Sequence, residues 1–240
     1  MRAAHAKKNE LKPHLKKYWV IPPEANAEFV CAMEDVLQVY QRDYDPKQPV
    51  VCIDETSKQL VDETRVPVPA APAQPQRIDY EYERKGTANL FMVTEPLVGE
   101  RHVKVTERRT TVDFAELMRD MVDDWYAGTD KIVLVMDNLN THRLASLYEA
   151  FEPAEARRLL EKLEIHYTPK HGSWLNIAEI ELSILSRQCL DRRINSATFL
   201  KKEVATWERQ RNRTCRTVDW QFTTTDARKK LKRLYPSFQK

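Results

Sequence analysis

The chain is predicted to fold as an α/β domain, one mixed sheet with helices on its faces, and three observations predict it. First, residues 50–53 and 132–136 are short, continuous apolar runs, each delivering an aspartate at its end, the pattern of a buried strand. Second, residues 88–94 and 102–106 read as two further strands turned around Pro96 and Gly99. Third, the later part of the chain alternates helix and strand. Three consecutive strands followed by that alternation make a mixed sheet covered by helices.

The elements follow in order. Residues 1–20 form a basic arm, with Lys7, Lys8, Lys12, Lys16 and Lys17 leading into Tyr18 and Trp19. Pro22 and Pro23 break the chain. A helix is then predicted over 24–40, because Phe29, Val30, Met33, Val36, Leu37 and Tyr40 recur at helical spacing. Asp45 and Pro46 turn the chain into the first strand, which ends on Asp54. Residues 61–88 carry prolines at 67, 69, 72 and 75 together with Arg65, Arg77, Arg84 and Lys85, a composition that favours a long excursion with little regular structure. Helices are expected over 111–125, over 144–163 with a break near Pro153, and over 174–190 after the Lys170–Ser173 turn. A short strand at 164–168 ends on Pro169, and Ser196 opens a last long helix towards Arg213. Three parts are therefore expected: an arm and linker helix at 1–45, an α/β domain at 46–192 and a basic helical extension at 193–240.

Composition narrows the function. Four glycines and no GxGxxG or GxxxxGK[ST] motif remove the usual nucleotide-binding readings. Cys31, Cys52, Cys189 and Cys215 are scattered without a CxxC pair, which argues against a zinc ribbon or a disulfide framework. With no signal-peptide pattern and no long apolar stretch, a soluble protein in a reducing compartment is expected. The net charge of +3 hides a segregation: residues 1–19 sum to +5, residues 187–240 to +10, and the middle to −12. An acidic body between basic ends suits a polyanion binder whose centre holds cations; solvated helical ends are the plainer explanation of the same charges.

The chemistry rests on carboxylates. Asp54 and Asp137 should converge in the sheet centre, where unpaired burial is costly. Oxygen ligands without a Cys or His cluster point to magnesium or manganese. A third ligand should come from the acidic start of helix 174–190. The two-metal logic then applies, one ion activating a water or 3′-hydroxyl and the other stabilising the leaving oxygen. Plainer roles stay open: Asp137-Asn138 as a turn, Asp54 paired with an arginine, and Asn176-x-x-Glu179 as a capping box.

The segments CIDET (52–56), YEYERKGTANLF (80–91), VLVMDNLNTH (133–142) and YTPKHGSWLNIAEIELSIL (167–185) resemble the bacterial insertion-sequence branch of the mariner-related DDE transposases, and the end of the chain, DWQFTTTDARKKLKRLYPS (219–237), is similar too. The resemblance implies a ribonuclease H-like fold, two Mg²⁺ (or Mn²⁺) ions, and cutting and joining of DNA. It places the catalytic, metal-binding triad on Asp54, Asp137 and Glu179. It implies double-stranded DNA as partner, both element ends and target, a homodimer on paired ends, and a nucleoid-associated cytoplasmic location. Helix-turn-helix modules normally precede such domains, and this sequence lacks them. Helical periodicity by itself favours Glu181, which lies at the centre of the stripe of Ile177, Ile180, Ile184 and Leu185; the LNxxE pattern selects Glu179.

Further candidates have plainer alternatives. His142 and His171 could touch the scissile phosphate or position water, or merely be exposed. Trp174 could stack on an extruded base or plug the core. Arg209, Arg211, Arg213 and Arg216, then Arg228, Lys229, Lys230, Lys232 and Arg233, look like phosphate-contacting surface interleaved with Trp207, Trp220, Phe222, Leu231 and Tyr235. Two rivals to a transposase are a structure-directed nuclease of the same fold and a catalytically degenerate DNA-binding remnant.

Overall fold

The computed structural model describes residues 24–138 and 143–237; the basic arm of residues 1–20 and His142 lie outside the described residues. The helices are α1 (Ala27–Val39), α2 (Thr111–Asp120), α3 (Ala145–Ala150), α4 (Pro153–Glu161), α5 (Ala178–Leu185), α6 (Ala197–Arg213) and α7 (Thr224–Lys230). The strands β1 (Val50–Glu63), β2 (Tyr82–Glu95), β3 (Glu100–Thr106), β4 (Ile132–Met136) and β5 (Leu163–Tyr167) form one sheet in the order β3-β2-β1-β4-β5. The first three strands pair antiparallel, while β1, β4 and β5 run parallel. This is the mixed sheet expected, with β1 at its centre.

Alternation along β1 divides the core between the two faces. Cys52 joins one buried cluster, with Met33, Val36 and Leu37 of α1, Leu182 and Leu185 of α5, and Leu200 and Val204 of α6. Val51 and Ile53 join the other, with Phe114, Leu117 and Met118 of α2, Leu147 of α3 and Leu159 of α4. Helix starts follow local chemistry: the Asn26 side chain accepts the Phe29 amide at 2.9 Å, Thr110 and Asp113 form a reciprocal capping box, and Pro153 stands in the first turn of α4.

Two departures from expectation have physical causes. Residues 61–88 are more regular than their prolines suggest: β1 runs on to Glu63 and β2 begins at Tyr82, slipping register between Leu60 and Val61, so that only the tip between the strands is irregular. A two-stranded ribbon is held by backbone ladder bonds and needs no apolar alternation in order to form. The predicted helix at 174–190 is composite, a tight turn at Ser173–Leu175, then α5, then a wider helical turn at Ser186–Leu190.

The C-terminal segment closes the first core cluster. Ala227 and Leu234 are buried in it, Asn26 donates its amide to the Leu234 carbonyl at 2.9 Å, and Arg228 forks onto Glu34 at 2.8 and 2.7 Å. Gly99, at φ +77°, makes the β2–β3 turn against this tail; a Cβ there would come within 2.7 Å of the Cys215 backbone.

At the same turn Glu95 faces Glu100 directly across the pair. Glu95 is 6% exposed. Burial pushes its carboxyl up to about 7, the charge of Glu100 adds to this, and a hydrogen bond from Tyr44 opposes it. An acid with a raised folded pKa favours folding while it holds its proton, so this contribution falls as pH rises from about 4.5 to about 7. Glu95→Gln should therefore stabilise the protein by about 1–3 kcal/mol at pH 8 and have little effect at pH 4; denaturant melts at the two pH values check this, and an equal effect at both would refute it.

Candidate active site

Parallel pairing of β1 and β4 ends where Cys52 meets Val135. Two residues further along the chain from each of these come Asp54, within β1, and Asp137, just past the end of β4, on the face that carries Cys52 and Val135. That face is covered by α5. Beyond this point the strands separate: β1 continues with β2, while the Met136 carbonyl accepts the Thr168 amide at 2.9 Å. Asp54, Asp137 and Glu179, the last in the first turn of α5, are each half-buried.

Asp54 records the crowding of charge. Burial pushes its carboxyl up to about 7; the Glu55 amide, donating to Oδ1 at 2.8 Å, opposes this, and the charges of Glu55, Asp137 and Glu179 add to it. Asp137 and Glu179 thus each lie within electrostatic reach of Asp54. Among the described residues no three His, Cys, Asp or Glu side chains form a ready ligand shell. The donor set itself, three carboxylates with no thiol or imidazole, fits a hard divalent ion.

The alternatives for these residues resolve differently. Arg109 pairs with Glu55 at 2.8 Å rather than with Asp54. The alternative capping box at Asn176 does not form, and Ile177 occupies the N-cap without a side-chain bond. Instead Asn176 is buried, donates Nδ2 to the Ile53 carbonyl at 2.7 Å and accepts the Ala178 amide at 3.1 Å. It thereby ties the peptide before Asp54 to the residue before Glu179. Tyr40 braces the same turn, donating to the Leu175 carbonyl at 2.7 Å. The sequence carried a signal for Asn176, a lone amide in an apolar run; for Tyr40 it carried none.

Glu181 does face inward, as periodicity predicts, but as part of an ion network. It is fully buried, paired with Arg101 at 2.8 Å and with Arg211 at 3.0 and 3.1 Å. Burial opposes its ionisation, yet the two guanidiniums outweigh burial and hold its carboxyl below the usual range. Arg211 is therefore engaged inside the protein rather than on the surface expected for it, and Arg228 is held by Glu34.

Trp174 packs against Trp220 and Phe222, at centroid distances of 6.4 and 6.0 Å, beneath the C-terminal segment. Base stacking is not the role this packing supports. His171 is exposed, adopts φ +63°, and with Lys170 and Asp137 lines a cavity of about 510 Å³. Gly172 permits the turn beside it, since a Cβ there would meet Pro169 at 2.5 Å.

The five-stranded mixed sheet with flanking helices is the ribonuclease H-like fold of transposase catalytic domains. Residues 49–201 match the DDE superfamily endonuclease family, and the chain belongs to it. Among solved structures it is similar to the Mos1 mariner paired end complex with Mn, with TM-score 0.53 and 17% identity over 82% of this chain and 59% of that one. It is also similar to the Mos1 transposase paired-end complex with left transposon end, with TM-score 0.52 and 14% identity over 84% of this chain and 65% of that one. The Mos1 Strand Transfer Complex matches with the same values. The chain spans about three fifths of the length of the transposase chains it matches. No curated protein matches it. Among the described residues no helix is long and apolar enough to cross a membrane.

Proposed function

We propose that this chain is the catalytic domain of a DDE transposase, with Asp54, Asp137 and Glu179 as its metal-binding and catalytic triad for two Mg²⁺ or Mn²⁺ ions. What supports the reading is the β1–β4 register, which stops two residues short of Asp54 and Asp137 on the face covered by α5, together with the charges of Asp137 and Glu179 felt at Asp54. The substrate is double-stranded DNA: a strand is hydrolysed at the element end, and the freed 3′-hydroxyl attacks target DNA. Residues 46–192 are the catalytic unit, and a dimer on paired ends is the working assembly.

When bound, the ions supply Lewis acidity at the phosphodiester and lower the pKa of the attacking hydroxyl. The chain supplies the rest. Asp54 and Asp137 orient their carboxylates from the rigid sheet, and Glu179 approaches from the helix. Asn176 fixes the distance between the two supports, as residues behind metal ligands commonly do. Half-burial limits water around the reacting oxygens.

Nicking and joining are assayed on labelled duplexes with Mg²⁺, with Mn²⁺ and with EDTA. Nicking and joining that both vanish in EDTA are expected. Nicking without joining reduces the reading to an endonuclease, and DNA binding without nicking in either ion overturns it.

A further inference from the structure

We infer that the trough running from the carboxylates between β1 and α5 is a binding site for the DNA backbone next to the scissile phosphate, with Arg187 as its phosphate clamp. The inference rests on the proposed function, because it needs the three carboxylates to mark the reacting point.

Geometry comes first. Asp54, Thr56 and Lys58 alternate onto one face of β1, the face covered by α5. Helix α5 and the turn after it run in the same direction as β1, with Asn176, just before α5, bonded to the Ile53 carbonyl at one end and the Leu190 carbonyl accepting Lys58 Nζ at 2.6 Å at the other. Between these ends lies a cavity of about 360 Å³ whose walls include Thr56, Ser57 and Lys58 from the strand and Ser186, Arg187 and Asp191 from the helical turns. Thr56 is two residues past Asp54, roughly 7 Å along the strand. The trough therefore begins one strand repeat past Asp54, on the same face.

Charge decides what fits. The cations around it are engaged: Lys58 with the Leu190 and Arg192 carbonyls, Arg192 with Glu203, and Arg193 with Glu63. Arg187 is exposed and, among the described residues, forms no ion pair, not even with Asp191 four residues on. A guanidinium left unpaired beside the hydroxyls of Thr56 and Ser186, with Ser57 turned to Asn89, matches phosphate oxygens, which arginine grips bidentately and Ser and Thr meet as donors. No aromatic side chain lines the trough to stack on a base, a single carboxylate is too few to hold a metal, and Leu190 is its one large apolar wall.

Fluorescence anisotropy with labelled duplex in Ca²⁺ buffer, titrated across NaCl concentrations, tests the inference without requiring cleavage. Each lost phosphate contact lowers the slope of log K against log[salt] by about 0.9. Arg187→Gln should lower it by about that amount, and Arg192→Gln, whose partner is Glu203, should leave it unchanged. Single methylphosphonates walked along the duplex should weaken binding by wild type at one position that no longer matters to Arg187→Gln. Active protein whose Arg187→Gln variant keeps the wild-type slope and the same methylphosphonate pattern sinks the trough and leaves the proposed function standing. A lower slope in protein that never cleaves does the reverse. Circular dichroism confirms that the variants are folded.

Discussion

Asp54→Asn is expected to cut metal-dependent nicking by about 10³-fold or more while raising the melting temperature of the metal-free protein at pH 8. The loss follows from magnitude: weakening a Lewis-acid site worth several kcal/mol removes a factor of ten for each 1.4 kcal/mol or so. The gain follows from the raised acidity constant. Burial pushes the Asp54 carboxyl from its ordinary 3.8 up to about 7 in the folded protein, and the charges of Glu55, Asp137 and Glu179 add to this. Between those values the folded chain keeps a proton that the unfolded chain has released. Stability from this group is whole below about pH 4 and is lost as pH rises through 7. Asparagine carries no such charge and should flatten that decline. Melts in EDTA at pH 5 and pH 8, repeated with 10-fold steps of Mg²⁺, separate this site from Glu95, whose decline should ignore the ion. A variant that loses both activity and stability at pH 8 would instead mark Asp54 as a structural residue.

How far the sequence reaches can be judged from particular residues. The two apolar runs ending in aspartate were legible because continuous burial on both faces of a parallel strand leaves no polar alternation to confuse with a helix. Their adjacency followed from the element order. The third carboxylate was harder. Periodicity selects whichever glutamate points at the core, and Glu181 does so; it could not reveal that Arg101, 80 residues away, and Arg211, 30 residues away, meet it there. Long-range ion pairs leave no local pattern. The ribbon formed by the second half of β1 and the first half of β2 was hidden for a related reason: a ladder of backbone bonds is independent of side-chain type, while the prolines confined to its tip dominate the composition of the whole segment. Asn176 is visible but ambiguous, since an amide three residues before a glutamate satisfies the capping pattern whether or not its side chain turns away to a neighbouring strand.

Glu181→Ala is expected to destabilise the protein by about 3–5 kcal/mol, the cost of leaving buried guanidinium charge without its partner. Arg101 is 1% exposed and donates to the Gly99 and Arg216 carbonyls as well as to Glu181, while its Nε already has no hydrogen-bond partner. Those carbonyls cannot neutralise its charge. Losing Glu181 would therefore expel Arg101 from the core, and with it the anchorage of β3 to α5, α6 and the C-terminal segment. The pair itself need not be a net source of stability, because desolvating both ions offsets much of their attraction. Arg101→Met combined with Glu181→Leu should accordingly be less destabilised than either single replacement, and urea melts of the three variants test this. Activity gives the contrast with Glu179. Held at a temperature where it is folded, Glu181→Ala should nick DNA within a few-fold of wild type, whereas Glu179→Gln should melt like wild type or higher and nick about 10³-fold more slowly. The opposite outcome, full stability without catalysis in Glu181→Ala and ordinary catalysis in Glu179→Gln, would move the third ligand two residues along the helix and leave Arg101 and Arg211 as part of the catalytic site.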